Sequence, residues 1–158
     1  MKIVSEIRAA LGERWLPQIY EYKIRPLRTR SFELQIPERE SEPQIMHTLL
    51  GVELKVGRRR FQSPDLATAR YLCVFARLGC RKVAVPYDIT RISGLADELE
   101  TAWHQMLLIF EHEIGQVSAS AKGRARAAVV RAVRDEIAGI GAGEKMPLFN
   151  RSTKQRKN

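Results

Sequence analysis

Apolar and polar positions change period several times in the first half of the chain, and each change predicts an element. Residues 2–11 place apolar side chains at helical spacing and are followed by Gly12, which predicts a short amphipathic helix. Residues 18–25 and 31–36 alternate apolar and polar side chains, and each segment ends at a proline, so both are predicted strands. Residues 37–44 are rich in proline and glutamate and predict a loop.

The middle of the chain returns to strand and helix patterns. Residues 45–50 fit either a strand or a helical turn, and residues 51–56 alternate again as a third strand. Ser63 and Pro64 are typical of a helix start, and Gly79 is typical of its end. Residues 82–85 then form a short apolar strand, so a strand, a helix and a strand in succession predict a βαβ crossover.

Two long helices are predicted after this core. The first runs from Ser93 with acidic residues in its opening turns, and the second covers residues 120–138 with arginines opposite an apolar stripe. The short linker between them predicts an antiparallel hairpin, in which their opposite charges are able to partner each other. The fold class is therefore mixed α/β: an αβββαβ core with a C-terminal two-helix hairpin, in one domain over residues 1–143.

Charge is the most informative property of the composition. The 158 residues hold 27 Lys and Arg against 18 Asp and Glu, a net charge of +9. The charge divides into +2 over residues 1–40, +5 over 41–82, −5 over 83–118 and +7 over 119–158. Residues 144–158 lack periodicity and predict a flexible basic tail. Clustered positive charge favours a polyanionic partner.

Other classes of protein are poorly supported by the sequence. The longest apolar run covers residues 106–110, far short of the roughly 20 residues that a membrane-spanning helix needs. The first residues lack an apolar leader, so we expect a cytoplasmic protein without a membrane partner. Cys73 and Cys80 do not have the spacing of a zinc site.

The third predicted strand carries the triplet Glu53-Leu54-Lys55. This triplet, in a helix–strand–strand–strand–helix–strand order over about residues 2–86, resembles the core of the PD-(D/E)xK nucleases and is similar in layout to Holliday-junction resolvases. The resemblance implies that Glu53 and Lys55 are catalytic and that Glu53 binds Mg²⁺ with an earlier acid. No aspartate precedes Asp65, so the candidates for that acid are Glu33, Glu38 and Glu42, with Glu6 or Glu13 of the first helix as an alternative.

Period-two alternation supports this geometry, because it puts Glu53 and Lys55 on one face of the strand, about 7 Å apart. The same triplet is also typical of any half-exposed strand whose opposite charges pair. Both interpretations follow from the residues.

We expect a protein that binds nucleic acid or a ribonucleoprotein, mainly through phosphates. The predicted contacts are the basic run and the tail, at Arg58, Arg59, Arg60, Lys154, Arg156 and Lys157. One alternative is a metal-dependent endonuclease of the PD-(D/E)xK type. Another is a non-enzymatic adaptor whose acidic helix, residues 94–117, docks a protein partner. Aromatic residues are only 7% of the chain and form no cluster in the sequence that predicts base stacking.

Overall fold

The computed structural model describes residues 2–34 and 42–143, with helices at both ends and strands between them. The first helices are α1 (Lys2–Leu11) and α2 (Leu16–Ile19), and a π-helical turn, Tyr20–Ile24, continues α2. The strands and later helices follow in the order β1 (Thr29–Glu33), β2 (Gln44–Thr48), β3 (Gly51–Val56), β4 (Arg59–Ser63), α3 (Leu66–Leu78), β5 (Lys82–Pro86), α4 (Ile89–Ile114) and α5 (Ala119–Ile140). The predicted mixed α/β class is confirmed.

The predicted strand over residues 18–25 is wrong, because this segment is helical. Leu16, Ile19, Tyr20 and Ile24 are buried on one side of α2 and its π-helical turn. The step of five residues from Ile19 to Ile24 suits the wider turn of a π-helix. Burial of this stripe against the core outweighs the strand propensity of the local sequence.

The five strands of the described residues form two separate antiparallel sheets. One is a meander in the order β2-β3-β4, and the other pairs β1 with β5. The predicted βαβ crossover is therefore wrong, since β5 pairs antiparallel with β1 and not parallel with β3. The ambiguous segment after the loop is the strand β2, and β4 was not predicted.

Helix α3 lies between the meander and α4. Its N-cap is Asp65, whose carboxylate accepts a hydrogen bond from the Thr68 backbone at 2.7 Å. The predicted cap at Ser63 is therefore displaced by two residues, and Ser63 instead donates to the Asp65 carbonyl. Gly79 ends the helix as predicted, with φ of 79° in the left-handed region.

The charges of α4 are mostly neutralised by residues outside α5. Arg70 of α3 binds both Asp97 and Glu100, and Lys23 binds Glu98. Among the described residues, one ion pair, Lys122 with Glu111, joins α4 to α5. The suggested partnership of the two helices therefore accounts for little of the basic charge of α5.

Strand β5 is buried, and tyrosines complete the hydrogen bonding of its backbone. Ala84 stands opposite Ser31 of β1, but its N–H donates to the Tyr20 hydroxyl at 3.0 Å and its carbonyl accepts from the Tyr71 hydroxyl at 2.6 Å. The Tyr20 hydroxyl also donates to the Gly141 carbonyl at 2.7 Å, just beyond α5. Burial raises the pKa of both hydroxyls, so both stay protonated and able to donate.

A single cluster of buried apolar side chains runs from Val4 to Ile137. Cys73 and Cys80 are both free thiols inside it. Within the described residues, no helix has both the length and the apolar character needed to cross a membrane.

Replacing Tyr71 with Phe tests the role of its hydroxyl in β5. The change leaves the buried Ala84 carbonyl without its partner, so we expect the free energy of unfolding in urea to fall by about 1–3 kcal/mol. Tyr22→Phe is the matched control, because Tyr22 is 65% exposed and its loss is expected to be neutral. Equal effects of the two variants would contradict this account.

The Cys80 thiol predicts a dependence of stability on alkaline pH. Burial raises its pKa from 9.0 to about 12, while Arg134 acts in the opposite direction. Between these two values the unfolded chain has lost the proton that the folded chain keeps, so stability falls as pH rises. At about pH 10.5 we expect the wild type to have lost about 2 kcal/mol more than Cys80→Ala, measured by urea unfolding at several pH values. Parallel pH profiles of the two proteins would contradict the prediction.

Candidate nucleic-acid interface

Glu53 and Lys55 lie on the same face of β3, as their spacing predicts. Leu54 and Val56 between and beyond them are 0% and 1% exposed and point to the opposite side, where α3 packs. Glu53 and Lys55 are both partly exposed. We call the side of the meander that carries them the outer face.

The partner of Glu53 is an arginine on the next strand. Arg60 Nη1 lies 3.8 Å from Glu53 Oε2, and the Glu53 side chain is 21% exposed. Met46 and Gln62 stand directly opposite Glu53 on the two neighbouring strands. Glu53 Oε2 is buried and accepts no hydrogen bond from the described residues. This environment agrees with the interpretation of the triplet as part of a charged, half-exposed strand.

Of the other acids named for a metal site, Glu33 lies in the two-stranded sheet, opposite Lys82, and not in the meander that carries Glu53, whereas Glu38 lies outside the described residues. In residues 2–34 and 42–143, no three side chains of the types that bind metals come together. The metal site and the roles of Glu53 and Lys55 in catalysis stay predictions.

The basic run after β3 is divided by the strand geometry. Arg58 lies in the turn, Arg59 stands opposite Val56, and Arg60 stands opposite Lys55. Because successive side chains of a strand point to opposite faces, Arg60 belongs to the outer face and Arg59 to the other side. The strand geometry therefore separates Arg59 from Arg60 within the predicted basic run. Lys154, Arg156 and Lys157 lie outside the described residues.

A second set of arginines lies on β1, next to aromatic rings. The Arg30 guanidinium lies over the Phe32 ring at 5.8 Å from its centroid. Just before the strand, the Arg28 guanidinium lies over the Tyr87 ring at 4.6 Å. Arg28, Arg30 and Phe32 are separated by two residues each, so they share one side of the β1–β5 pair.

Phe32 also connects this side of β1 to the meander. Its ring meets the Phe61 ring edge to face, with centroids 6.3 Å apart. Phe61 shares a side of β4 with Arg59, two residues before it. We name the resulting surface the arginine–aromatic track, which consists of Arg28, Tyr87, Arg30, Phe32, Phe61 and Arg59.

The side chains of the track are at least partly accessible, and its three arginines make it positively charged. Arg28 and Arg59 are exposed, Tyr87 is 43% exposed, and the remaining three are partly exposed. None of the three arginines forms an ion pair with an acid in the described part of the chain. Asp88, next to Tyr87, instead caps α4 by accepting hydrogen bonds from Thr90, which lower the pKa of its carboxyl.

Sequence reasoning missed the track because its rings come from three distant segments. A local signal was nevertheless present: Arg28, Arg30 and Phe32 alternate along one strand, and Arg59 and Phe61 repeat the spacing on another. Such arginine and aromatic alternation predicts one side of a strand that carries both charge and flat apolar surface. The sequence does not show that the two strands meet.

A double-mutant cycle tests the contact between the two sheets. We expect Phe32→Leu and Phe61→Leu to be coupled by about 0.5–1.5 kcal/mol in the free energy of unfolding, because each substitution removes the same edge-to-face contact. A cycle of Phe32→Leu with Phe110→Leu, a buried position on α4, is the control and is expected to be additive. Additivity in both cycles would show that the two rings do not hold the sheets together.

Comparisons with known proteins return no relative for this chain. No family model matches the sequence, and no curated protein and no solved structure matches it.

Proposed function

We propose that this protein binds nucleic acid through the arginine–aromatic track, with its arginines contacting phosphates. The observation that carries the proposal is the position of Arg28, Arg30 and Arg59 beside three aromatic rings, with no acid among the described residues paired to them. Unpaired guanidinium groups attract a polyanion and release its counterions on binding.

Stacking makes Arg28 and Arg30 better phosphate ligands than free surface arginines. A guanidinium held against a ring loses less rotational freedom on binding, while its N–H edges remain free to donate hydrogen bonds. Charge-assisted hydrogen bonds from arginine to phosphate are commonly bidentate. The track thus combines charge with fixed geometry.

Three arginines of α5 add to the attraction but lack aromatic neighbours among the described residues. Arg124, Arg126 and Arg131 of α5 have no acidic partner among the described residues, and no ring stacks on them there. Their charge contributes to the long-range field that steers a polyanion toward the protein.

The adaptor alternative depends on the acidic residues of α4. Asp97, Glu98, Glu100 and Glu111 already form ion pairs within the chain. This pairing reduces the negative surface that α4 offers to a basic partner, so the track is the better supported site.

Arg59 and Arg60 provide a matched test of the proposal, since they are neighbours of the same chemistry on opposite sides of β4. We expect Arg59→Gln to weaken binding of a labelled oligonucleotide and to reduce the slope of log K against log salt by about 0.7–0.9. Arg60→Gln is expected to leave both the affinity and the slope unchanged, because Arg60 lies on the outer face with Glu53. Fluorescence anisotropy at several salt concentrations measures both quantities.

Two outcomes would contradict the proposal. Equal weakening by the two substitutions would indicate that binding follows net charge and not the track. Wild-type binding that persists unchanged at high salt would show that phosphate contacts do not supply the affinity.

A further inference from the structure

Two arginine–ring pairs of the track lie along one strand. The guanidinium groups of Arg28 and Arg30 lie over the rings of Tyr87 and Phe32. Arg28 and Arg30 are two residues apart on one side of an extended chain, so their side chains start about 7 Å apart.

The pair of Arg28 and Tyr87 is accessible. Arg28 is exposed, its guanidinium carbon lies 4.6 Å from the centroid of the Tyr87 ring, and Tyr87 is 43% exposed. Unpaired bases commonly stack on arginine planes and aromatic rings, and this pair offers both groups. The faces of paired bases are covered by their neighbours in a duplex and cannot reach this surface.

Backbone hydrogen bonding holds this pair in position before any ligand binds. The Tyr87 N–H donates to the Arg28 carbonyl at 3.1 Å, directly after the paired residues Thr29 and Pro86. The same strand pair is held in the core by the tyrosine hydroxyls at Ala84. A fixed platform lowers the ordering cost of binding.

We infer that the ligand of the arginine–aromatic track is single-stranded nucleic acid, bound by base stacking on Tyr87 and Arg28 together with phosphate contacts from the arginines. The inference rests on the proposed function and names the form of nucleic acid that the site takes. Stacking engages the π-face that every base has, so the binding tolerates different sequences.

The test compares one labelled strand of mixed sequence, chosen to form no hairpin, with the same strand annealed to its complement. We expect the wild-type protein to bind the single strand about tenfold more tightly than the duplex at equal salt. Tyr87→Leu is expected to weaken single-strand binding by about tenfold and to leave duplex binding unchanged. Tyr22→Leu is the control, since Tyr22 is exposed outside the track, and it is expected to change neither.

A second variant keeps the test valid if Tyr87→Leu fails to fold. Arg28→Lys retains the positive charge but removes the planar guanidinium, so it is expected to weaken binding of the single strand and not binding of the duplex. The single-strand inference would be overturned if the wild type bound the duplex as tightly as the single strand, or if these variants lowered the affinity for both probes equally. Either result would leave the proposed function standing. Failure of the wild type to bind either probe would overturn the proposed function itself.

Discussion

Ala84 lies in the middle of β5 with its backbone N–H and carbonyl turned away from β1 toward two tyrosine hydroxyls. Each backbone group left without a hydrogen bond in a buried strand costs about 1–3 kcal/mol. A two-stranded sheet is therefore stable in the core only when the backbone groups on its unpaired, buried edge find other hydrogen-bond partners. Tyr20 and Tyr71 provide these bonds from α2 and α3, and Tyr20 extends the network to the end of α5. The position of β1 on the surface, and with it that of Arg28 and Arg30, follows from this arrangement.

Local patterns in the sequence predicted the elements whose own residues determine them. Helix α3 has a proline near its start and Gly79 at its end, and β3 alternates between buried and partly exposed residues. The strand prediction for residues 18–25 failed because aromatic and β-branched side chains favour a strand locally, while Tyr20 bonds to Ala84 from a helix. The pairing of β1 with β5 joins segments separated by four other elements, and no local period encodes it.

In the candidate site, too, local patterns predict some features and leave out those that depend on long-range contacts. Alternation placed Glu53 and Lys55 correctly on one face, and it also separates Arg59 from Arg60, which the basic run alone concealed. Spacing indicates the alternation of arginine and phenylalanine on each strand, but the long-range contact of Phe32 with Phe61 that joins the two strands is not encoded in composition or spacing. Total charge is consequently a poor guide to where a polyanion would bind, although it favours that class of ligand.

The most direct test of the central claim is an NMR titration of the labelled protein with a single-stranded oligonucleotide, following the side-chain Nε–H signals of arginine. The account predicts that the signals of Arg28, Arg30 and Arg59 shift first and most strongly. It predicts little change at Arg60 on the outer face and at Arg124 and Arg131 on α5. Shifts centred on α5 or on the outer face, with the track unaffected, would contradict it.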